Sequence, residues 1–93
     1  MMDDPHLCYY DKNQLVLNFP YDADLIHQIK EVEQPFRRYD GETQCWLVSI
    51  QKYGHINKGV LRKTKALLKG WGFRIHKSAS EYLASIEDSI TIQ

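Results

Sequence analysis

Leu15, Leu17 and Phe19 recur at every second position, the period that sends side chains to one face of a β-strand. His6 to Tyr10 reads as the strand before it, and Asp11-Lys12-Asn13 supplies the turn between them. After Pro20 the period changes. Leu25, Ile26, Ile29 and Val32 fall at i, i+1, i+4 and i+7, a helical stripe that Asp22 is placed to cap. Asp22 and Asp24 also sit where the helix dipole favours negative charge. Pro35 is expected to end this helix and to bias Gln34 towards extended geometry.

Phe36 to Tyr39 and Gln44 to Ile50 predict a second hairpin around Asp40-Gly41-Glu42-Thr43, with Asp40 closing the turn and Gly41 supplying a positive φ. A longer helix follows from about Ile56 to Lys69, with Val60, Leu67 and Trp71 on its apolar stripe, flanked by Leu61, Thr64 and Leu68. Gly59 weakens its first turn, so its start could fall near that residue. Gly70 or Gly72 offers the left-handed C-cap. Gly72 to His76 fits a fifth strand. Ser78 and Glu81 match a capping box that opens a short helix carrying Tyr82, Leu83 and Ile86. Ser89 to Gln93 reads as an edge strand or the start of a linker. The order ββαββαβα predicts an α+β domain, with two to three helices on one face of a small, mostly antiparallel sheet.

Ninety-three residues make a single domain, residues 1–93, that buries roughly 60–65% of its unfolded surface. An apolar share of 43% supports one core and leaves little room for a deep catalytic cavity. No apolar run reaches the length of a membrane span, and the chain opens on Asp3 and Asp4 rather than on a secretory signal. Cys8 and Cys45 are too few to staple a secreted scaffold and suit buried, reduced thiols. A reducing, intracellular compartment is the expectation.

Charge changes this picture. The net charge is zero, yet residues 1–42 hold nine acids against four bases, residues 43–80 hold eight bases and no acid, and the tail returns three acids. Such sorting points to a polyanionic partner, although acidic and basic parts could also complement each other within the fold. In the basic segment, Lys58, Arg62, Lys65 and Lys69 repeat at spacings of four, three and four, which makes one helical ridge. An ordinary solvated face interleaves acids at i, i+4, and this helix has none. Lys52, Arg74 and Lys77 extend the same segment. Arg37, Arg38, Tyr39 and Trp46 on the second hairpin offer phosphate contacts and base stacking, but a small core also wants its large aromatics. Strand geometry sends Arg37 and Arg38 to opposite faces, as it does Tyr9 and Tyr10, and Arg38 could simply pair with Asp40 or Glu42.

Other chemistries find little support. His6 and Cys8 share a strand face, and Cys45 and His76 could lie near them, but no C-x2-C or H-x3-H spacing marks a zinc site. A magnesium nuclease wants an Asp/Glu-x-Lys on a strand, and Glu42-Thr43-Gln44 lacks the lysine. No cofactor is implied. There is no Walker A loop, so ATP hydrolysis by that route is excluded and no enzyme activity is expected.

Phe19-Pro20-Tyr21-Asp22, Leu25-Ile26, Ile29-Lys30 and then Arg37-Arg38-Tyr39-Asp40-Gly41-Glu42-Thr43-Gln44-Cys45-Trp46 resemble the HARP domain of annealing helicases. The pattern is also similar to the DNA-damage-recognition domain of excision-repair helicases of the XPB type, with Lys52-Tyr53 at the place where a Lys-Tyr opens the next helix. The likeness covers roughly residues 8 to 77. It implies an accessory DNA-binding module that favours forked, branched or distorted DNA and serves a superfamily-2 motor, in the same chain or in another. Residues 1–93 contain no motor, and the helix after Lys52 is longer and more basic than the family pattern.

The expectation is therefore a non-catalytic DNA-binding module. Its contacts would come from Arg37, Arg38, Tyr39, Trp46, Lys52, Lys58, Arg62, Lys65, Lys69, Arg74 and Lys77. The alternative is a small adaptor or inhibitor that docks on a nucleic-acid enzyme through its acidic N-terminal part.

Overall fold

The computed structural model describes residues 6–52 and 54–92. Strands β1 (Leu7–Asp11) and β2 (Gln14–Asn18) form the first hairpin, closed by Lys12 and Asn13 at φ of 51° and 68°. Two successive left-handed residues are the signature of a type I′ turn, and Asn tolerates that conformation well. The Tyr10 hydroxyl donates to Asn13 Oδ1 at 3.0 Å and ties the turn to its strand. Helix α1 (Ala23–Ile29) follows, with Asp22 Oδ1 accepting from the Asp24 and Leu25 amides at 3.1 and 3.2 Å. It ends well short of Pro35, which instead lies inside a 3-10 turn at Gln34–Phe36. Val32 is buried all the same, although it stands beyond the helix.

Strands β3 (Arg37–Asp40) and β4 (Cys45–Val48) make the second hairpin. Its turn works differently from the expectation. Asp40 accepts from the Glu42 amide and the Thr43 hydroxyl, both at 3.0 Å, but the positive φ of 58° belongs to Gln44 and not to Gly41. Those two hydrogen bonds, with the Arg38 charge nearby, hold the Asp40 carboxyl below its ordinary value. A short pair that the alternation did not reveal, β5 (Gln51–Lys52) and β6 (His55–Ile56), leads into α2 (Lys58–Gly70).

Helix α2 begins at Lys58, beside Gly59 as expected, and Asn57 caps it: its side chain accepts from the Val60 amide at 3.0 Å. The helix ends in a Schellman arrangement. Gly72 lies at φ 66°, the Gly72 amide donates to Lys69 O, and the Phe73 amide reaches Leu68 O at 2.9 Å. Strand β7 (Arg74–Ile75) then pairs parallel to β1, and α3 (Lys77–Ile92) closes the chain. Two expectations fail here. The cap of α3 is His76: its Nδ1 accepts from the Ser78 amide at 3.0 Å, and its carbonyl accepts from the Ser80 amide. Ser78 lies inside the helix and uses its hydroxyl to accept from the Tyr10 amide at 3.0 Å. Residues 89–92 continue α3 and form neither an edge strand nor a linker, while Gln93 lies outside the described residues.

The five-stranded sheet runs β3-β4-β2-β1-β7, and every pair except β1 with β7 is antiparallel. Register aligns Cys8, Leu17, Trp46 and Tyr39 in one row, and Tyr10, Leu15, Val48 and Arg37 in the next, all on the helix side. Buried Leu25, Ile29, Val60, Leu67, Leu68 and Ile86 of the three helices complete this core. Burial also pushes the Cys8 thiol up to about 12. The opposite face carries the row Tyr9, Val16, Leu47 and Arg38, and there Val16, Leu47 and Cys45 pack into a small cluster with Tyr9. Cys8 and Cys45 thus lie on opposite faces of the sheet, and the idea that His6, Cys8, Cys45 and His76 converge fails. Among the described residues no group of three or more His, Cys, Asp or Glu side chains is placed to hold a metal ion, and no helix is long and apolar enough to cross a membrane.

Candidate nucleic-acid interface

The inner face of α2 is fixed by Val60, Leu61, Thr64, Leu67 and Leu68, all buried. That fixes the outer face as well, and Lys58, Arg62, Lys65 and Lys69 are exposed along it. Leu61 and the first three of these cations line a shallow groove. Lys65 and Lys69 line a second one with Leu68, Phe73, Ile75 and Leu83, so the ridge runs along the seam between α2 and α3. Lys63 points the other way and donates to Glu31 O at 3.1 Å, beyond the end of α1.

The ridge is not wholly uncompensated. Lys65 forms an ion pair with Glu87 of α3, an acid supplied across the fold where the helix itself has none. Lys58, Arg62 and Lys69 meet no acidic side chain among the described residues. Lys58 and Arg62, one turn apart, repel each other by a few tenths of a kcal/mol, a cost that an anion would offset. The positive end of the α2 dipole lies beside Lys58 and adds to the same field.

The second hairpin places its candidates elsewhere. Arg37 turns to the helix side, where its Nε donates to Val32 O at 2.9 Å. Arg38 is exposed on the opposite face beside Leu47. Trp46 is 9% exposed and belongs to the core, its ring tilted by 56° against Tyr39 at 5.3 Å between centroids. Tyr39 is half-exposed. Neither tyrosine of β1 stands free: Tyr10 stacks on Tyr82 at 4.2 Å, and Tyr9 packs into the outer cluster. Burial raises the pKa values of Tyr9 and Tyr82, with smaller contributions from Cys45 and Asp11 on the first and from Tyr10 on the second.

Three further candidates are scattered. Arg74 is exposed on the edge strand β7, paired in register with Leu7. Lys77 faces Glu81 one turn on, at 3.9 Å, with both side chains well exposed. Lys52 belongs to β5, and its side chain and all of Tyr53 lie outside what the structure describes. The fold therefore assembles one continuous cationic strip from α2 and does not bring the hairpin arginines to it.

What the sequence reading missed is a groove of about 350 Å³ at the other end of the sheet, lined by Phe19, Pro20, Tyr21, Ile26, Tyr39, Gln44 and Trp46. Tyr21 is 84% exposed beside it, an unusual placement for a large aromatic. No ridge residue lines this groove. Comparison with protein-family models, with curated proteins and with solved structures finds no match.

Proposed function

We propose that this chain is a non-catalytic DNA-binding module that grips the phosphate backbone through α2. The observation that carries the reading is the exposed strip of Lys58, Arg62 and Lys69, which no acidic side chain of the described residues neutralises. A stripe of this kind reads backbone charge and not base sequence, so binding is tolerant of sequence and steeply dependent on salt. The resemblance to HARP-type and damage-recognition domains adds the rest of the proposal: the favoured target is forked or branched DNA, and the module serves a superfamily-2 motor.

The test is fluorescence anisotropy of the 93-residue chain with labelled forked, duplex and single-stranded DNA at low and moderate salt. Micromolar or tighter binding that weakens with salt, strongest on the fork, supports the proposal. Absence of binding to all three at low salt overturns it.

A further inference from the structure

The aromatic groove and the segments that build it carry a charge opposite to that of the ridge. Its residues come from two stretches, 19–26 and 39–46. Those stretches contain Asp22, Asp24, Asp40 and Glu42 and no base at all. Each wall runs into acids: Tyr21 is followed by Asp22 and Asp24, while Asp40 and Glu42 lie in the turn between Tyr39 and Gln44. Asp40 shares the Arg38 face of β3 and lies across the sheet from the groove, so the acids left to the groove's segments are Asp22, Asp24 and Glu42. The two bases that precede the second stretch are Arg37, whose Nε is tied to Val32 O, and Arg38, which points with Asp40 to the other side of the sheet.

A nucleic-acid strand entering here would bring its phosphates towards the segments of Asp22, Asp24 and Glu42, where the chain supplies no base to receive them. A cation meets the reverse situation. The tilted Tyr39 and Trp46 rings form a corner, and Tyr21 stands exposed beside it. Aromatic faces within about 6 Å of a guanidinium or ammonium attract it through the ring quadrupole, most strongly for Trp. The Gln44 amide oxygen can accept from an N–H at the rim. Phe19, Pro20 and Ile26 give the aliphatic stem of a long basic side chain an apolar surface.

We infer that this groove is a docking site for an arginine side chain, presented by a basic segment of a partner protein. The inference stands on aromatic surface and charge complementarity and does not depend on the DNA-binding proposal. The contact is small, so affinity for a single short peptide is weak, and specificity lies in the positive charge.

The test is a titration of the 15N-labelled chain with a capped Gly-Arg-Gly peptide, read by heteronuclear NMR. The indole resonances of Trp46 and Trp71 are told apart by Trp71→Phe. The expected result is a saturable shift of the Trp46 indole and the Gln44 side-chain amide, while the Trp71 indole stays still. The citrulline peptide, which keeps the shape without the charge, should bind at least ten-fold more weakly. Tyr21→Ala and Tyr39→Ala should each weaken the arginine peptide several-fold in a chain that keeps its native spectrum. Three outcomes overturn the inference: no shift, equal shifts with the citrulline peptide, or displacement of the same resonances by oligo-dT but not by the arginine peptide. Shifts that depend only on the protein's own concentration also overturn it, because they would assign the groove to a second copy of this chain.

Discussion

The α2 ridge and the aromatic groove are built by opposite routes. The ridge is local: one helix of thirteen residues, Lys58–Gly70, carries five bases and no acid, and its spacing alone puts four of them on one stripe. The groove is assembled from residues up to 27 positions apart, Phe19 to Trp46, which meet only when β2, α1, β3 and β4 pack together. The ridge holds uncompensated cations and almost no exposed aromatic surface, whereas the groove holds exposed tyrosines between acidic turns. A chain with zero net charge thus presents two surfaces of opposite sign. Average charge says little about partners when the fold sorts the signs.

The largest expected effect separates the two surfaces. Lys58→Glu/Arg62→Glu/Lys69→Glu should lower fork affinity by about 100-fold or more at low salt, because three phosphate contacts become repulsions. The groove resonances should remain unmoved in NMR spectra of the same variant.

The next prediction concerns which groove residues can be probed. Trp46 is both floor and core, so Trp46→Ala should cost about 3–5 kcal/mol in urea unfolding. Tyr39 is half-exposed, and Tyr39→Ala should cost under about 1 kcal/mol, the scale of one cross-strand pair. If the two variants proved equally destabilised, the distinction between floor and wall would be wrong.

A smaller effect tests the acid that partly neutralises the ridge. Glu87→Gln should free Lys65, raise fork affinity a few-fold and steepen the salt dependence by at most about one phosphate's worth, with a stability change under about 1 kcal/mol. Unchanged affinity would mean that Lys65 stands outside the contact.

The smallest effect follows acid titration of the turn that closes the second hairpin. The Asp40 pKa is depressed in the folded state, so its contribution is present above the unfolded value and is lost as pH falls from about 4 through the folded value. Side-chain NMR of Asp40 and Thr43 should show the carboxylate titrating late and the turn loosening with it. Asp40→Asn should remove that step.

Much of the scaffold was legible because its signals are local. Alternation at Leu15 and Leu17, the helical stripe from Leu25 to Ile29, and the caps at Asp22 and Gly72 each depend on neighbours within a few residues. The misreadings share a cause, which is that a distant partner claimed the group. Ser78 looked like a helix cap, but Tyr10, 68 positions away, uses its hydroxyl, and His76 caps in its place. The ridge looked free of acids until α3 brought Glu87 to Lys65. Arg37 looked available until the turn after α1 offered it the Val32 carbonyl. The groove left no mark in the local pattern, since Gln44 reads as the first residue of a strand and Tyr21 only as one member of the Phe19-Pro20-Tyr21-Asp22 run.

The most direct test of this division of labour is the salt dependence of fork binding for the wild-type chain, the ridge triple variant and Tyr21→Ala/Tyr39→Ala. The account predicts a steep slope for the wild type, near-complete loss of binding in the ridge variant, and a slope and affinity within about two-fold of wild type in the tyrosine variant. Retained binding in the ridge variant, with loss in the tyrosine variant, would place the nucleic acid in the groove and contradict the account.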